Sequence, residues 1–371
     1  MPKVLCFGSV NVDDVFVVPH IVLTGETISS SEYTVHPGGK GANQSVALSK
    51  AGVETYHAGR IGKDGVWVAD LMKTHGVKTD LLNVDDKKPN GRAIIQVSAS
   101  DNDNAIVLLP GTNHAISIDD ADSAVGAFNK GDWVVMQNEI NLDAANRVLD
   151  VAAKKGMVIV LNPAPCPSDF VKSVSMTNVD VLVLNSSEAA SIANQLPTTT
   201  TGDSASTSSA SSSPSELAGH LLRAVPNLKL VVITLGGDGA VACIRSHSST
   251  TSAAAASSSA STTSTSSSAS FAVQSISAPA LANCKLVDTT GAGDTFVGFF
   301  VASLIKTLTA RCGGGGGAAS SAAKLQDVLT ADVVRQALTM GTTAGGMACE
   351  THGAMPSVPL WADVEKRAAQ A

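Results

Sequence analysis

The sequence predicts an α/β fold: a mostly parallel central sheet between helices, with a small β-sheet lid beside it. Three observations carry this expectation. Short β-branched runs recur along the chain, several of them apolar almost throughout, as strands covered on both faces are. Helix-like segments lie between them, an alternation that belongs to parallel sheets. Two pairs of short strands fall outside the alternation and read as hairpins.

The first strand is expected over Val4–Val10, followed by others at Asp132–Gln137, Val158–Asn162, Val181–Asn185 and Leu230–Thr234. The helical segments are Ala42–Lys50, Trp67–Thr74, Asn141–Lys154 and Pro214–Ala224. The hairpins pair Val15–Val18 with Thr27–Thr34, and Arg92–Ser98 with Ala105–Leu109, the latter around the polar turn "ASDNDNA". A small sheet of this kind next to a doubly wound core is a candidate lid, expected over residues 12–37 and 91–109. Residues 197–215 and 246–270 are rich in Ser, Thr and Ala, and 313–323 contain five consecutive glycines. Such compositions bury too little apolar surface to offset chain entropy and read as low-complexity insertions in a single domain spanning 1–371.

Composition narrows the function classes. Of the 371 residues, 44% are hydrophobic, enough for a sizeable core. The net charge is −7 and aromatics make up 4%, which argues against a nucleic-acid partner or an anionic membrane surface. Six cysteines form no C-x-x-C pair, so reduced thiols are expected. The strand candidate "KVLCFGSV" begins at Lys3, leaving no room for a cleavable leader; the cytoplasm is the expected compartment.

Several motifs carry possible chemistry. "TTGAGD" (289–294) joins a glycine turn to an apolar helix. The turn aims N–H groups into one concavity and the helix adds partial positive charge, so Gly291, Ala292 and Gly293 read as an anion site or as a plain structural turn. Asp294 is then an oddity, a carboxylate where an anion should sit. "HPGGKGANQ" (36–44) sets Lys40, with Asn43 and Gln44 opening a helix, among exposed backbone around Gly39; this suits a polyhydroxylated ligand or a tight glycine loop. In "GSVNVDD" (8–14), Asn11 and Asp13 share a face at the end of the first strand, where open α/β sheets bind ligands. "MQNE" (136–139) and "NSSE" (185–188) put Glu139 and Glu188 at the same sheet edge, as hydroxyl or water-mediated magnesium ligands or as helix N-terminal charges. "TLGGDGA" (234–240) allows close backbone approach to a ligand and also reads as a hairpin turn.

In combination, "GSVNVD", "GETI", "PGGKGANQ", "NPAP", "NSSE", "TLGGDG", "DTTGAGDTF" and "GAMPSVP" resemble the ribokinase-like (PfkB) carbohydrate kinase family over essentially the whole chain outside the three insertions. The resemblance implies a sheet of about nine strands with a lid that clasps a second subunit's lid, giving a homodimer. It implies ATP-dependent phosphorylation of a sugar, with "GGKGANQ" and the Asn11/Asp13 pair pointing to D-ribose and its 5-hydroxyl. By the resemblance, the sugar site comprises Asn11, Asp13, Gly39, Lys40, Asn43, Glu139 and Asp294, and Asp294 is the catalytic base. Gly291, Ala292 and Gly293 form the anion hole. Asn185, Thr234, Leu235, Gly236, Gly239 and Gly293 serve ATP, and Glu188 serves Mg2+ through water. A K+ site is implied at Asp288, Thr290, Ala348, Thr351, Gly353 and Ser357, the middle four through backbone carbonyls. Two positions depart from the usual pattern: Asn138 stands where a hydrophobic residue is common, and Trp67 where a glycine is.

Overall fold

The computed structural model describes residues 1–101, 103–197, 213–246, 272–311 and 322–370. Most of the three low-complexity stretches therefore lies outside the described residues. Thirteen strands run in chain order: β1 (Val4–Phe7), β2 (Asn11–Val18), β3 (Glu32–Gly38), β4 (Thr55–Gly62), β5 (Lys78–Asp85), β6 (Gly91–Ser98) and β7 (Asn104–Leu109). The rest are β8 (Trp133–Met136), β9 (Val158–Leu161), β10 (Val181–Asn185), β11 (Leu230–Thr234), β12 (Ala240–Ser246) and β13 (Ala272–Ala278). The helices are α1 (Lys40–Lys50), α2 (Val66–Thr74), α3 (Ile118–Gly126), α4 (Leu142–Lys155), α5 (Phe170–Ser173) and α6 (Ser186–Gln195). They continue with α7 (Pro214–Ala224), α8 (Ala292–Arg311), α9 (Ala322–Val328), α10 (Ala331–Ala348), α11 (Ala354–Ser357) and α12 (Trp361–Ala368).

Nine strands form the main sheet in the order β13-β12-β11-β10-β9-β8-β1-β4-β5. Pairing is parallel from β11 through to β5, and β12 alone runs against its neighbours. Alternate residues of each strand feed two cores. Val4 and Cys6 pack with Val46, Val68, Phe299 and Val334 on one face. Leu5 and Phe7 pack with Val125, Val148, Ile192 and Leu221 on the other. Helix α8 has no polar stripe from Phe296 to Ile305 because α1 and α10 cover it as well as the sheet. Among the described residues, no helix is long and apolar enough to cross a membrane.

The second sheet has four strands in the order β3-β2-β6-β7. The expected hairpins are both there, joined by a parallel β2–β6 pairing. One boundary is corrected: β3 starts at Glu32, not Thr27, because its ladder with β2 ends at Val17 opposite Glu32. Three residues, Gly8–Val10, separate β1 from β2, and Gly39 alone separates β3 from α1. The smaller sheet, the expected lid, is thus rooted directly in the main sheet's carboxyl end. Trp67 sits half-exposed on α2, and Asn138 Nδ2 donates to the Pro165 carbonyl at 2.7 Å.

Candidate active site

The carboxyl ends of β1, β8, β9, β10 and β11 open towards one side of the sheet, and the motif residues collect there. A cleft of about 230 Å³ is lined by Lys40, Asn162, Asn185, Glu188, Thr234, Thr289, Gly291, Gly293 and Asp294, among others. It brings together residues from both halves of the chain.

Asp294 lies in the first turn of α8 and is nearly buried. Each of its oxygens accepts a carboxamide N–H. Asn43 Nδ2 donates to Oδ2 at 2.9 Å, and Gln44 Nε2 donates to Oδ1 at 2.9 Å. Asn43, expected to touch a ligand, therefore also holds the aspartate, and its own Oδ1 is buried without a hydrogen-bond partner. The turn before Asp294 requires glycine at 291: φ is +75°, and a Cβ there would lie 2.7 Å from the Ala354 Cβ. Of the expected anion-hole amides, Ala292 commits its N–H to the Thr289 carbonyl at 3.2 Å. The N–H groups of Gly293 and Asp294 make no hydrogen bond among the described residues, as the first turn of a helix leaves them. A Cβ on Gly293 would meet nothing within 4 Å, so this face of the turn is open.

The acidic recess beside Asp294 is built by the lid root. Burial raises the Asp13 carboxyl from 3.8 to about 7, helped by the charges of Glu139, Asp14 and Asp294. Gly38 accommodates Asp13, since a Cβ there would fall 2.1 Å from Asp13 Oδ2. Glu139 accepts from Ser9 Oγ at 2.6 Å and from the Lys40 N–H at 2.9 Å. Its carboxyl is also raised by burial, against the opposing charge of Lys40. The Asp294 charge, ahead of Glu139 and Glu188, raises the Lys40 ammonium. Asn11 Oδ1 accepts from Asn113 Nδ2 at 2.7 Å, and Gly39 (φ +91°) passes so close to the Asn11 backbone that a Cβ would sit 2.8 Å from its nitrogen.

On the other side, Asn185 and Glu188 form a capping box at the start of α6: Asn185 Oδ1 accepts from Glu188 N–H, and Glu188 Oε2 from Asn185 N–H, both at 2.9 Å. The helix-charge role foreseen for Glu188 is therefore real, and the side chain still lines the cleft. Burial raises its carboxyl, against the Asn185 N–H and Lys40. Beyond it, Asn185, Ser187, Pro214, Thr234, Leu235, Gly236 and Asp238 line an open shelf of about 520 Å³. Gly239 belongs to the β11–β12 turn instead of this shelf; a Cβ there would lie 2.2 Å from the Ala278 carbonyl oxygen. "TLGGDGA" is thus both a hairpin turn and one wall of the shelf. Among the described residues, no three His, Cys, Asp or Glu side chains gather as a metal cage. Glu188 and Asp294 are the carboxylates that line the cleft, a sparse set that fits an ion keeping most of its water.

Of the residues expected to hold a monovalent cation, Asp288, Thr290 and Gly353 are joined by hydrogen bonds, and Thr351 N–H donates to the Ala348 carbonyl at 3.3 Å. Asp288 Oδ1 accepts from Thr290 N–H at 2.9 Å, and Oδ2 from Gly353 N–H at 2.8 Å. Burial alone would raise the Asp288 carboxyl, but those bonds outweigh it and hold it below the usual range. Val287 N–H donates to the Cys349 carbonyl at 2.8 Å, and Ser357 Oγ to the Ala354 carbonyl at 2.8 Å. Oxygen donors from the 288–290 and 348–357 segments thus crowd beside the anion turn, a hard donor set that suits potassium.

A family model for pfkB family carbohydrate kinases matches residues 1–361. The chain belongs to this family. It is a carbohydrate kinase with the family's α/β fold. The chain is 27% identical over 367 residues to the ribokinase of Staphylococcus aureus (strain COL), which covers 98% of this chain and 99% of that relative. The crystal structure of ribokinase from Cryptococcus neoformans var. grubii serotype A in complex with ADP matches at a TM-score of 0.69 and 28% identity, covering 99% of this chain and 100% of the other. A Burkholderia thailandensis nucleoside kinase in complex with inosine also matches, with a TM-score of 0.68 at 16% identity, over 99% of this chain and 96% of the other. That last likeness shows the fold alone, and it means that the fold does not select the acceptor.

Sequence reasoning missed Asn113, Gln137 and Asn162, and placed Gln44 at a helix start without a role in the site. Gln44 directly follows Asn43 and ends the "KGANQ" run, but only the fold reveals that its amide reaches a carboxylate 250 residues away.

Proposed function

We propose that this carbohydrate kinase transfers the γ-phosphoryl group of ATP to the 5-hydroxyl of D-ribose, giving D-ribose 5-phosphate and ADP. The observation that carries the reading is the pairing of Asp294 with the unpartnered N–H groups of Gly293 and its own, beside a half-buried acidic recess. Ribokinase relatives over the full chain, one of them solved with ADP, support the substrates.

Phosphoryl transfer asks for a positioned acceptor, charge stabilisation and exclusion of water. The 5-hydroxyl lies against Asp294, whose two oxygens each accept a carboxamide N–H, from Asn43 and from Gln44. Asn11, Asp13, Gly39, Lys40 and Glu139 take the remaining hydroxyls. Asp294 accepts the proton as the hydroxyl attacks. The N–H groups at the start of α8, with Gly291 shaping the turn, meet the charge on the transferred group. The nucleotide rests on the shelf of Asn185, Thr234, Leu235 and Gly236. Glu188 would hold Mg2+ through water, and that ion supplies neutralisation of the phosphate charge. Asp288, Thr290, Ala348, Thr351, Gly353 and Ser357 would hold K+, which supplies rigidity to the loop beside the anion turn.

The lid supports a homodimer. Ile106 to Leu109 of the edge strand β7 are all exposed, at 43–61% of their surface. An apolar edge of this kind on a free monomer invites pairing. Sedimentation equilibrium reads the mass directly. Five free thiols among the described residues fit a reducing cytoplasm.

The deciding experiment is a panel of pentoses, hexoses and nucleosides with ATP, run in potassium and in sodium salts. D-ribose is expected to give the highest kcat/KM, with faster turnover in potassium. A nucleoside preferred over every sugar overturns the acceptor, absence of turnover overturns the enzyme reading, and equal rates in both salts overturn the cation site.

A further inference from the structure

Behind Asp294 lies a run of buried carboxamides whose polarity is set at its far end. Asn162 Nδ2 donates to the Val183 carbonyl at 2.9 Å, which turns Asn162 Oδ1 towards Gln44. Gln44 Nε2 donates to that oxygen at 2.9 Å as well as to Asp294. Its Oε1 must then face away, and it accepts from Gln137 Nε2 at 2.7 Å. Gln44 and Gln137 are 0% and 2% exposed. Gly8 leaves room for the Gln137 amide, because a Cβ there would lie 2.1 Å from Gln137 Oε1. That oxygen is buried with no hydrogen-bond partner. Burying an unpaired acceptor is a cost an apolar side chain would avoid, so stability alone does not explain a glutamine here.

A carboxamide has one donor end and one acceptor end. Reversing Gln44 would point its oxygen at the Asp294 carboxylate and at Asn162 Oδ1 together. Those two acceptors already oppose the reversal, and Gln137 adds to them by giving Gln44 Oε1 a donor in the orientation that remains. We propose that Gln44 and Gln137 are positioning residues of the phosphoryl transfer, a polarity relay that keeps an N–H donor on Asp294 and aims the free side of its carboxylate at the acceptor hydroxyl. The proposal rests on Asp294 acting as the base.

The test uses Gln137→Met and Gln137→Glu in the full chain, assayed with the acceptor that the panel identifies. Gln137→Met keeps the volume and removes the donor. Its kcat is expected to fall about 10- to 100-fold, with KM for the acceptor within about twofold and a melting temperature near that of wild type. Gln137→Glu restores a donor only when its carboxyl is protonated, so it should turn over faster than Gln137→Met at about pH 6 and lose that advantage as pH rises. Wild-type kcat in Gln137→Met, or a loss confined to KM, overturns the relay. So does Gln137→Glu matching or trailing Gln137→Met at every pH, a comparison that stands even where the methionine variant is poorly folded. Asp294→Asn measured alongside separates the two levels. Near-wild-type turnover there removes the base, whereas a dead Asp294→Asn beside a fully active Gln137→Met removes only the relay.

Discussion

The two sides of the cleft are built by different means. The recess around Asp13, Lys40, Glu139 and Asp294 is half-buried to buried, charged and interlocked by hydrogen bonds that reach across the chain. The shelf around Thr234, Leu235 and Gly236 is open, contains a single acidic side chain at Asp238 and is shaped mainly by backbone turns. Buried charge is costly to assemble and sensitive to every partner, which suits discrimination between similar acceptors and orientation of a reacting proton. An exposed backbone surface tolerates change and suits a co-substrate held mainly through its phosphates.

Substitutions should divide along the same line. The largest effect belongs to Asp294→Asn, which is expected to lower kcat by roughly 10²–10⁴ while leaving sugar binding by calorimetry intact. Near-wild-type turnover would dissolve the contrast at its centre. Asp13→Asn should weaken sugar KM about 10- to 100-fold, the range for a hydrogen bond to a charged group. It should also stabilise the sugar-free protein in a pH-dependent way. The Asp13 carboxyl is raised to about 7, so its ionisation is disfavoured in the folded state. Below about pH 4 it is protonated folded and unfolded and costs nothing; the cost grows as pH rises and is complete above about 7, on the order of 4 kcal/mol. Thermal melts should therefore show Asp13→Asn above wild type at pH near 8 and level with it near 4. The smallest effect is expected on the shelf. Gly236 has φ +58° and open space around it, so Gly236→Ala should cost about 1 kcal/mol of stability and shift the ATP KM by no more than about threefold, leaving the sugar KM alone. A collapse of sugar affinity in that variant would mean that the two sides are not separable.

Legibility in the sequence follows the same physics. Strands β1, β8, β9, β10 and β11 were readable because burial on both faces makes them apolar runs. Strands β4 "TYHAGRIG" and β5 "KTDLLNVD" were not, because they mix charged and polar residues and β5 is an edge. Helix α10 was hidden by the glycines of "GTTAGGMA", whose small size admits its neighbours: a Cβ on Gly341 would press within 2.9 Å of Phe296, and one on Gly346 within 2.6 Å of Leu281. In the cleft, Lys40, Gly291, Gly293 and Asp294 stand in glycine-marked motifs, and Asn185 and Glu188 at the end of an apolar strand, which made them legible. The residues that hold them were not, since Gln137 and Asn162 are ordinary polar residues at strand ends until the fold sets them beside Gln44.

The junction at Gly39 has a mechanical consequence. A lid strand passes into α1 through this one residue, and the helix's first five positions include Lys40, Asn43 and Gln44. There is no slack to absorb a rotation. A swing of the small sheet would load the same turn of α1 that carries Asn43 and Gln44, the two donors on Asp294. On the proposed reading, an acceptor that draws the small sheet down would also seat the two donors on Asp294, and a water arriving without it would not.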